Sequence, residues 1–155
     1  MLSFKAFLAV SFLFSCAVGK SGDNCSPVTK FFNQNVDHFG PSNQLFPQQY
    51  QILDTYFKPG GPILFYQGGE TVDMICLEDL ILPTWAKDLG ALAVTMEHRF
   101  FGESKPNNLV NLTQRYETLT LDNVMEDSVN FIIWIKDTVN GTRDSPVIAT
   151  GGKYS

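Results

Sequence analysis

The sequence predicts an α/β fold, a mostly parallel sheet with helices on both faces, and three observations carry that expectation. Pro62 to Tyr66, Ala91 to Met96 and Val147 to Ala149 are short apolar runs of the kind that parallel strands, buried on both faces, require. Helical patterns separate them: Leu77 to Leu89 between the first two runs, and a longer segment after Thr120 before the third. Each run ends in a turn that carries glycine or charge: Gly68-Gly69-Glu70, then Glu97-His98-Arg99, then Gly151-Gly152. In such sheets chemistry sits at the carboxyl ends of the strands, so these three loops are expected to lie near one another.

Taken in chain order, Asp37-His38-Phe39 closes an aromatic-rich entry segment, and Gly40-Pro41-Ser42-Asn43 reads as a turn. Tyr50 to Phe57 has the β-branched and aromatic content of a strand. Pro59-Gly60-Gly61 breaks the chain before the first apolar run. Pro83 starts or interrupts the Leu77 to Leu89 helix. Thr120 is a good N-cap, with Asp122 in the first turn to complement the helix dipole. Leu121, Val124, Met125, Ser128, Phe131, Ile132, Ile135 and Val139 then share one face at helical spacing, and Asn140-Gly141 ends the helix. The chain shows no internal repeat, linker or charge block, so one domain is expected.

The 155 residues give room for a real core, and 44% hydrophobic against 17% charged residues makes the chain globular rather than disordered. A net charge of -5 with no basic cluster excludes nucleic acid as the expected partner. Lys5, the apolar run Ala6 to Phe14 and the small residues of Ser15-Cys16-Ala17-Val18-Gly19 describe a secretory signal peptide. Residues 1–19 are therefore assigned to the signal and 20–155 to the mature domain. The apolar run is short of the ~20 residues of a membrane span, and no later segment is long enough, so no integral span is expected once the signal is removed. Three Asn-x-Ser/Thr acceptors, at Asn24, Asn111 and Asn140, lie in polar, turn-prone stretches and agree with export. Cys25 and Cys76 remain after cleavage; they are disulfide candidates whose pairing the sequence leaves open.

Among candidate chemistries, Gly152-Lys153 lacks the earlier glycine and the following Ser or Thr of a phosphate loop. His38 and His98 stand far apart, with no His-Glu-x-x-His or Cys-x-x-Cys, so no metal and no cofactor are expected. A Schiff-base role for Lys153 has less support than a solvated charge. Ser104, in Gly102-Glu103-Ser104-Lys105-Pro106, lacks a closing glycine and reads as a loop hydrogen bond. A nucleophile elbow fits the context best, because Ser145 to Gly152 supplies a strand and the first glycines of a Gly-x-Ser-x-Gly turn. The oxyanion hole would take one backbone N–H from Gly68-Gly69-Glu70 and one from the residue after the nucleophile. The central position holds Lys153, and both histidines precede the elbow, out of the Ser, Asp/Glu, His order.

Four blocks carry a resemblance: Phe31-Phe32-Asn33-Gln34-Asn35-Val36-Asp37-His38-Phe39, Gly61 to Glu70, Glu97-His98-Arg99-Phe100-Phe101-Gly102-Glu103-Ser104, and Pro146 to Gly152. In order and spacing they resemble the secreted and lysosomal prolyl carboxypeptidase and dipeptidyl peptidase II family of serine peptidases. The resemblance implies the N-terminal part of an α/β-hydrolase fold, incomplete, and an exopeptidase cleaving after proline near one end of a peptide substrate. It places Lys153 at the nucleophile position, not competent there, with Gly69, Glu70 and Tyr154 as oxyanion-hole candidates. It puts the family's aspartate, histidine and helical specificity domain beyond Ser155. Extracellular or lysosomal location follows from the same resemblance and the signal.

Two expectations compete on this basis. In one, the chain is the N-terminal piece of a proline-specific serine peptidase, truncated at the elbow and inactive as given. In the other, it is a short secreted glycoprotein with a non-catalytic binding or regulatory role. An uncovered sheet edge and apolar face favour the first. Gly152-Lys153-Tyr154-Ser155 can be encoded as GGT-AAG-TAT-TCN, a string containing GTAAGT, the start of a eukaryotic intron. The resemblance holds through Gly152 and stops there, which is compatible with the last three residues being translated intron; Tyr154 equally suits a plain Ser-to-Lys replacement in a Gly-Gly-Ser-Tyr elbow, and both origins stay open.

Overall fold

The computed structural model describes residues 29–41, 43–106 and 116–151. Five strands form one sheet in the order β1-β2-β4-β3-β5: β1 Lys30–Asn35, β2 Leu45–Leu53, β3 Ile63–Gln67, β4 Leu92–Met96 and β5 Val147–Gly151. A 3₁₀ turn, Leu77–Asp79, precedes α1, Leu82–Leu89, and α2 spans Leu121–Thr138. The α/β architecture expected from the sequence is what the chain adopts. The sheet is mixed: β3 pairs in parallel with β4 and β5, whereas β2 runs antiparallel to both β1 and β4. The link through residues 36–44 is shorter than the dozen or so residues that a parallel crossover needs, so β1 and β2 form a hairpin.

Alternation along the central strands builds two cores. Ile63 and Phe65 of β3, with Leu92, Val94 and Met96 of β4, face α2 and pack on Phe131 and Ile135. Leu64 and Ala93 face the other way, onto Leu77, Leu82 and Ala86. Phe131 is fully buried and lies 5.1 Å from the Tyr50 ring, 5.7 Å from Phe32 and 5.8 Å from Trp134, centroid to centroid. Burial of such a side chain contributes about 1.5–3 kcal/mol, and the edge and stacked ring contacts add to it.

Several boundaries differ from the sequence expectation. β2 begins at Leu45, before the expected Tyr50, and the entry segment contributes strand β1. The expected 77–89 helix is a 3₁₀ turn followed by α1, with Pro83 in the first helical turn, where its missing N–H costs nothing. Thr120 caps α2 as expected, its hydroxyl accepting from Asn123 N at 3.2 Å. The buried face of α2 is rotated from the one read off the apolar spacing. Val124, Phe131 and Ile135 are buried as foreseen, but Leu121 and Met125 are 61% and 62% exposed, and Asn123 and Asp127 take the inner positions. Asp127 is drawn inward by Arg99, as described below.

Cys76, just ahead of the 3₁₀ turn, is disulfide-bonded, and its partner lies outside the described residues, as do Cys25, Asn24 and Asn111. Asn140 is exposed beyond the end of α2. No helix among the described residues is long and apolar enough to cross a membrane.

Candidate active site

Parallel pairing brings the expected strand ends together. Gln67, the last residue of β3, is in register with Met96, the last of β4, and with Gly151, the last of β5. The turns Gly68-Gly69-Glu70 and Glu97-His98-Arg99 therefore leave the sheet at the edge where β5 also ends. Tyr66, Gly68, Gly69, Thr95, Met96 and Glu97 line a small cavity between these two turns.

Gly68 is held against β4: its N–H donates to Met96 O at 2.8 Å, and a Cβ there would lie 2.9 Å from that same oxygen. Only glycine permits this approach. Gly69 O accepts from Thr71 N at 2.8 Å, which closes the turn. Among the described residues, neither Gly69 N–H nor Glu70 N–H has a backbone acceptor. Gly68→Ala is expected to cost about 1–3 kcal/mol, since the new methyl must displace backbone rather than a mobile side chain. A thermal melt checks this; a midpoint equal to that of the parent would show that the turn gives way freely.

The loop after β4 is fixed from inside by its own first residue. Glu97 is buried, and its Oε2 accepts from Glu103 N at 3.0 Å, Ser104 N at 2.9 Å and Ser104 Oγ at 2.7 Å. Burial pushes the Glu97 carboxyl above its ordinary range; the Ser104 and Glu103 hydrogen bonds pull it back, and the Glu103 charge raises it further. Ser104 Oγ also accepts from Gln49 N at 2.8 Å, so Ser104 makes the loop hydrogen bond that the sequence suggested and is no nucleophile. Phe100 adopts φ 71°, a strained value for a non-glycine residue. It is held there by Phe100 N donating to Ser104 O at 2.7 Å and by ring contact with Phe46 at 5.9 Å.

Arg99 and Asp127 form the centre of a buried polar network that the sequence did not reveal. Arg99 Nε and Nη2 reach Asp127 Oδ2 and Oδ1 at 2.7 and 2.6 Å, a bidentate pair with both side chains buried. The remaining guanidinium donors go to carbonyls of Val36, Thr118 and Asn35, and the group lies 5.5 and 5.4 Å from the Phe46 and Phe100 ring centres. His38 Nε2 meets Asp127 Oδ1 at 2.7 Å, and its Nδ1 lies 3.2 Å from Asn130 Nδ2. With both ring nitrogens engaged and its side chain buried, His38 is structural. His98 is also buried: Nδ1 donates to Arg99 O at 2.9 Å, and Phe101 packs edge-on at 5.2 Å.

Among the sequence-predicted site residues, the structure thus places Gly69 and Glu70 at the shared carboxyl edge, beside the end of β5. Lys153 and Tyr154 lie outside the described residues. The residues that sequence reading missed are Arg99, Asp127, Gln67 and Ser128. The one signal for Asp127 is its spacing, four residues before Phe131, which puts a carboxylate on the apolar side of α2.

The family model for serine carboxypeptidase S28 matches residues 34–155. The lysosomal Pro-X carboxypeptidase of Homo sapiens is 37% identical over 129 residues, covering 80% of this chain and 26% of the relative. Serine protease vicPa of Bipolaris victoriae (strain FI3) is 41% identical over 106 residues, 64% of this chain and 20% of that protein. A putative serine protease of Caenorhabditis elegans, K12H4.7, is 28% identical over 132 residues, 83% of this chain and 26% of the relative. The chain spans about a quarter of the length of the Pro-X carboxypeptidases it matches. With four-fifths of its length aligned to such proteins, and the family model running from β1 onward, the chain belongs to the serine carboxypeptidase S28 family.

Proposed function

We propose that this chain forms the N-terminal part of an α/β-hydrolase domain in a serine-type exopeptidase that acts on peptides beside proline, releasing the residue that follows it. The observation that carries the reading is the register of Gln67, Met96 and Gly151, which sets Gly68-Gly69-Glu70, with two N–H groups that have no backbone acceptor among the described residues, beside the end of β5. That pairing suits acyl transfer, in which a nucleophile on one strand-end turn attacks a carbonyl whose oxygen is received by the N–H groups of another.

In this reading Gly69 or Glu70 supplies one oxyanion donor and the residue at position 154 the other. Position 153 is the nucleophile's, and its lysine does not serve as one: the mechanism needs a hydroxyl activated by an Asp-supported histidine. The buried Arg99–Asp127 pair and the Glu97 clamp hold the loop after β4 and take no part in proton transfer. Proline carboxypeptidase relatives favour peptides with a penultimate proline as substrates over an aminodipeptidase reading. The names of the lysosomal relatives, the signal-like residues 1–19 and the exposed Asn140 support a secretory route to an acidic or extracellular compartment.

The test grafts residues 29–152 of this chain into the human Pro-X carboxypeptidase in place of the matching segment, once with serine and once with lysine at position 153. The serine chimera is expected to release the terminal residue from a peptide ending Pro-Phe and to be labelled by a fluorophosphonate; the lysine chimera does neither. A secreted, cooperatively melting serine chimera that is inert would overturn the reading. It would favour the alternative that Lys153 suggests, a non-catalytic secreted glycoprotein.

A further inference from the structure

We propose that Gln67, braced by Ser128, is a positioning residue that fixes the Gly68–Gly69 peptide plane so that Gly69 N–H is presented to the oxyanion. The inference rests on the hydrolase reading above and gives Gln67 and Ser128 a role that the sequence reading did not assign to either.

The geometry is a chain of three groups. Ser128 Oγ on α2 donates to Gln67 Oε1 at 2.9 Å. The Gly68 carbonyl settles the amide's orientation: it can only accept, so the amide nitrogen faces it and the amide oxygen is left to Ser128. Gln67 Nε2 then donates to Gly68 O at 3.2 Å. The peptide that follows is trans and planar, so its C=O and N–H point in opposite directions. Holding Gly68 O toward the Gln67 amide therefore aims Gly69 N–H away from it, out of the α2 side of the turn. The next peptide is held as well, because Gly69 O accepts from Thr71 N at 2.8 Å. Two consecutive planes are set, and neither of their N–H groups has a backbone acceptor among the described residues.

The bracing matters because of residue type. A Gly-Gly pair has the widest backbone freedom, and Gly68 cannot be replaced where it crosses Met96 O at 2.9 Å from its would-be Cβ. Stiffness must come from outside the turn, and the Gln67 amide supplies it. Gln67 is buried, and as part of β3 it sits on the same face as Ile63 and Phe65, toward α2. Ser128 follows Asp127 directly on α2. One helical turn thus grips the loop after β4 through Asp127 and Arg99, and the loop after β3 through Ser128 and Gln67.

The first test uses the full 155-residue chain, labelled with nitrogen-15. Gln67→Met keeps the side chain's length and removes both polar atoms; Ser128→Ala removes the brace, and Ser128→Thr keeps the hydroxyl. The Gly69 amide is expected to show a rigid order parameter in the parent and in Ser128→Thr. In Gln67→Met it falls into the flexible range, below about 0.6, while Gly61 and Gly90 do not change. An unchanged Gly69 order parameter in Gln67→Met overturns the proposal. The second test measures kinetics in the serine chimera. Gln67→Met is expected to lower kcat at least about tenfold with KM within about twofold, short of the ~10²–10³ that follows loss of a whole oxyanion donor. Ser128→Thr restores the rate that Ser128→Ala loses. Equal losses in the thermal midpoint with kcat intact would leave Gln67 a merely structural amide and overturn the proposal. An active chimera whose Gly69 loosens without change in kcat overturns it too and removes Gly69 from the oxyanion hole, whereas an inert parent chimera indicts the hydrolase reading itself.

Discussion

Asp127→Asn is expected to lower the unfolding free energy by about 3–5 kcal/mol, a large share of the ~5–15 kcal/mol typical of a domain. The carboxylate accepts from Arg99 Nε and Nη2 and from Gln48 Nε2, and its Oδ1 lies against His38 Nε2. Asparagine keeps the shape but offers one acceptor oxygen and points an NH₂ at groups that donate. The Arg99 guanidinium would then be a buried charge without its counter-charge, since its other contacts are neutral carbonyls and aromatic faces. Arg99→Lys should not be mild either, because one ammonium cannot span the fork and the three carbonyls. The pair's net worth is smaller than either single loss, as both ions also gave up their hydration. The double variant Arg99→Met with Asp127→Leu is therefore expected to be more stable than the sum of the single losses implies. Urea unfolding of the four proteins measures this, and strict additivity would show that the two side chains are not energetically coupled.

That pair also shows what the sequence could and could not reveal. β3, β4 and β5 were legible because each is a short apolar run closed by a glycine or charged turn, and the meeting of their carboxyl ends follows from parallel pairing alone. The start of β2 was not legible because Gln48 and Gln49 look like loop residues. Gln48 is nevertheless buried, as is Gln51 farther along the strand, because each satisfies a backbone group: Gln48 donates to Glu97 O and Gln51 accepts from Leu77 N. Hydropathy cannot mark a strand whose inward side chains serve hydrogen bonds. The inner face of α2 was hidden for the same reason, with Asn123 and Asp127 standing where Leu121 and Met125 would satisfy an apolar pattern. The partners that draw Asp127 in lie 28 residues away for Arg99 and 89 for His38, a separation that no local pattern encodes. The glycine turn of the site could be read; the Gln67 and Ser128 brace could not, because its two members meet only once α2 has packed on β3.

The second large effect is expected at Glu97. Glu97→Ala leaves the buried Ser104 Oγ and the part-buried Glu103 N without their acceptor, while Ser104 N keeps Phe101 O at 2.9 Å, at a cost of about 1–3 kcal/mol. The loop cannot simply refill, because Gly102 is itself shaped by the carboxylate: a Cβ there would collide with Glu97 Oε1, and its φ is +49°. The isostere Glu97→Gln separates packing from charge. Burial raises the Glu97 carboxyl in the folded chain above its unfolded value near 4.5. The folded state therefore holds this proton more tightly than the unfolded state does. The stability gained is fully present below the unfolded value and is lost as pH rises through the raised folded one. Glutamine carries no such dependence, so the advantage of the parent over Glu97→Gln should be greatest in acid and shrink toward neutral pH. Melting both proteins in steps from about pH 4 to pH 7.5 reads the difference directly. A gap that widened with pH would mean that the three donors outweigh burial and hold the carboxyl below its ordinary range. An acid-favoured clamp suits a loop that must keep its shape in an acidic compartment, one of the two settings proposed above for this chain.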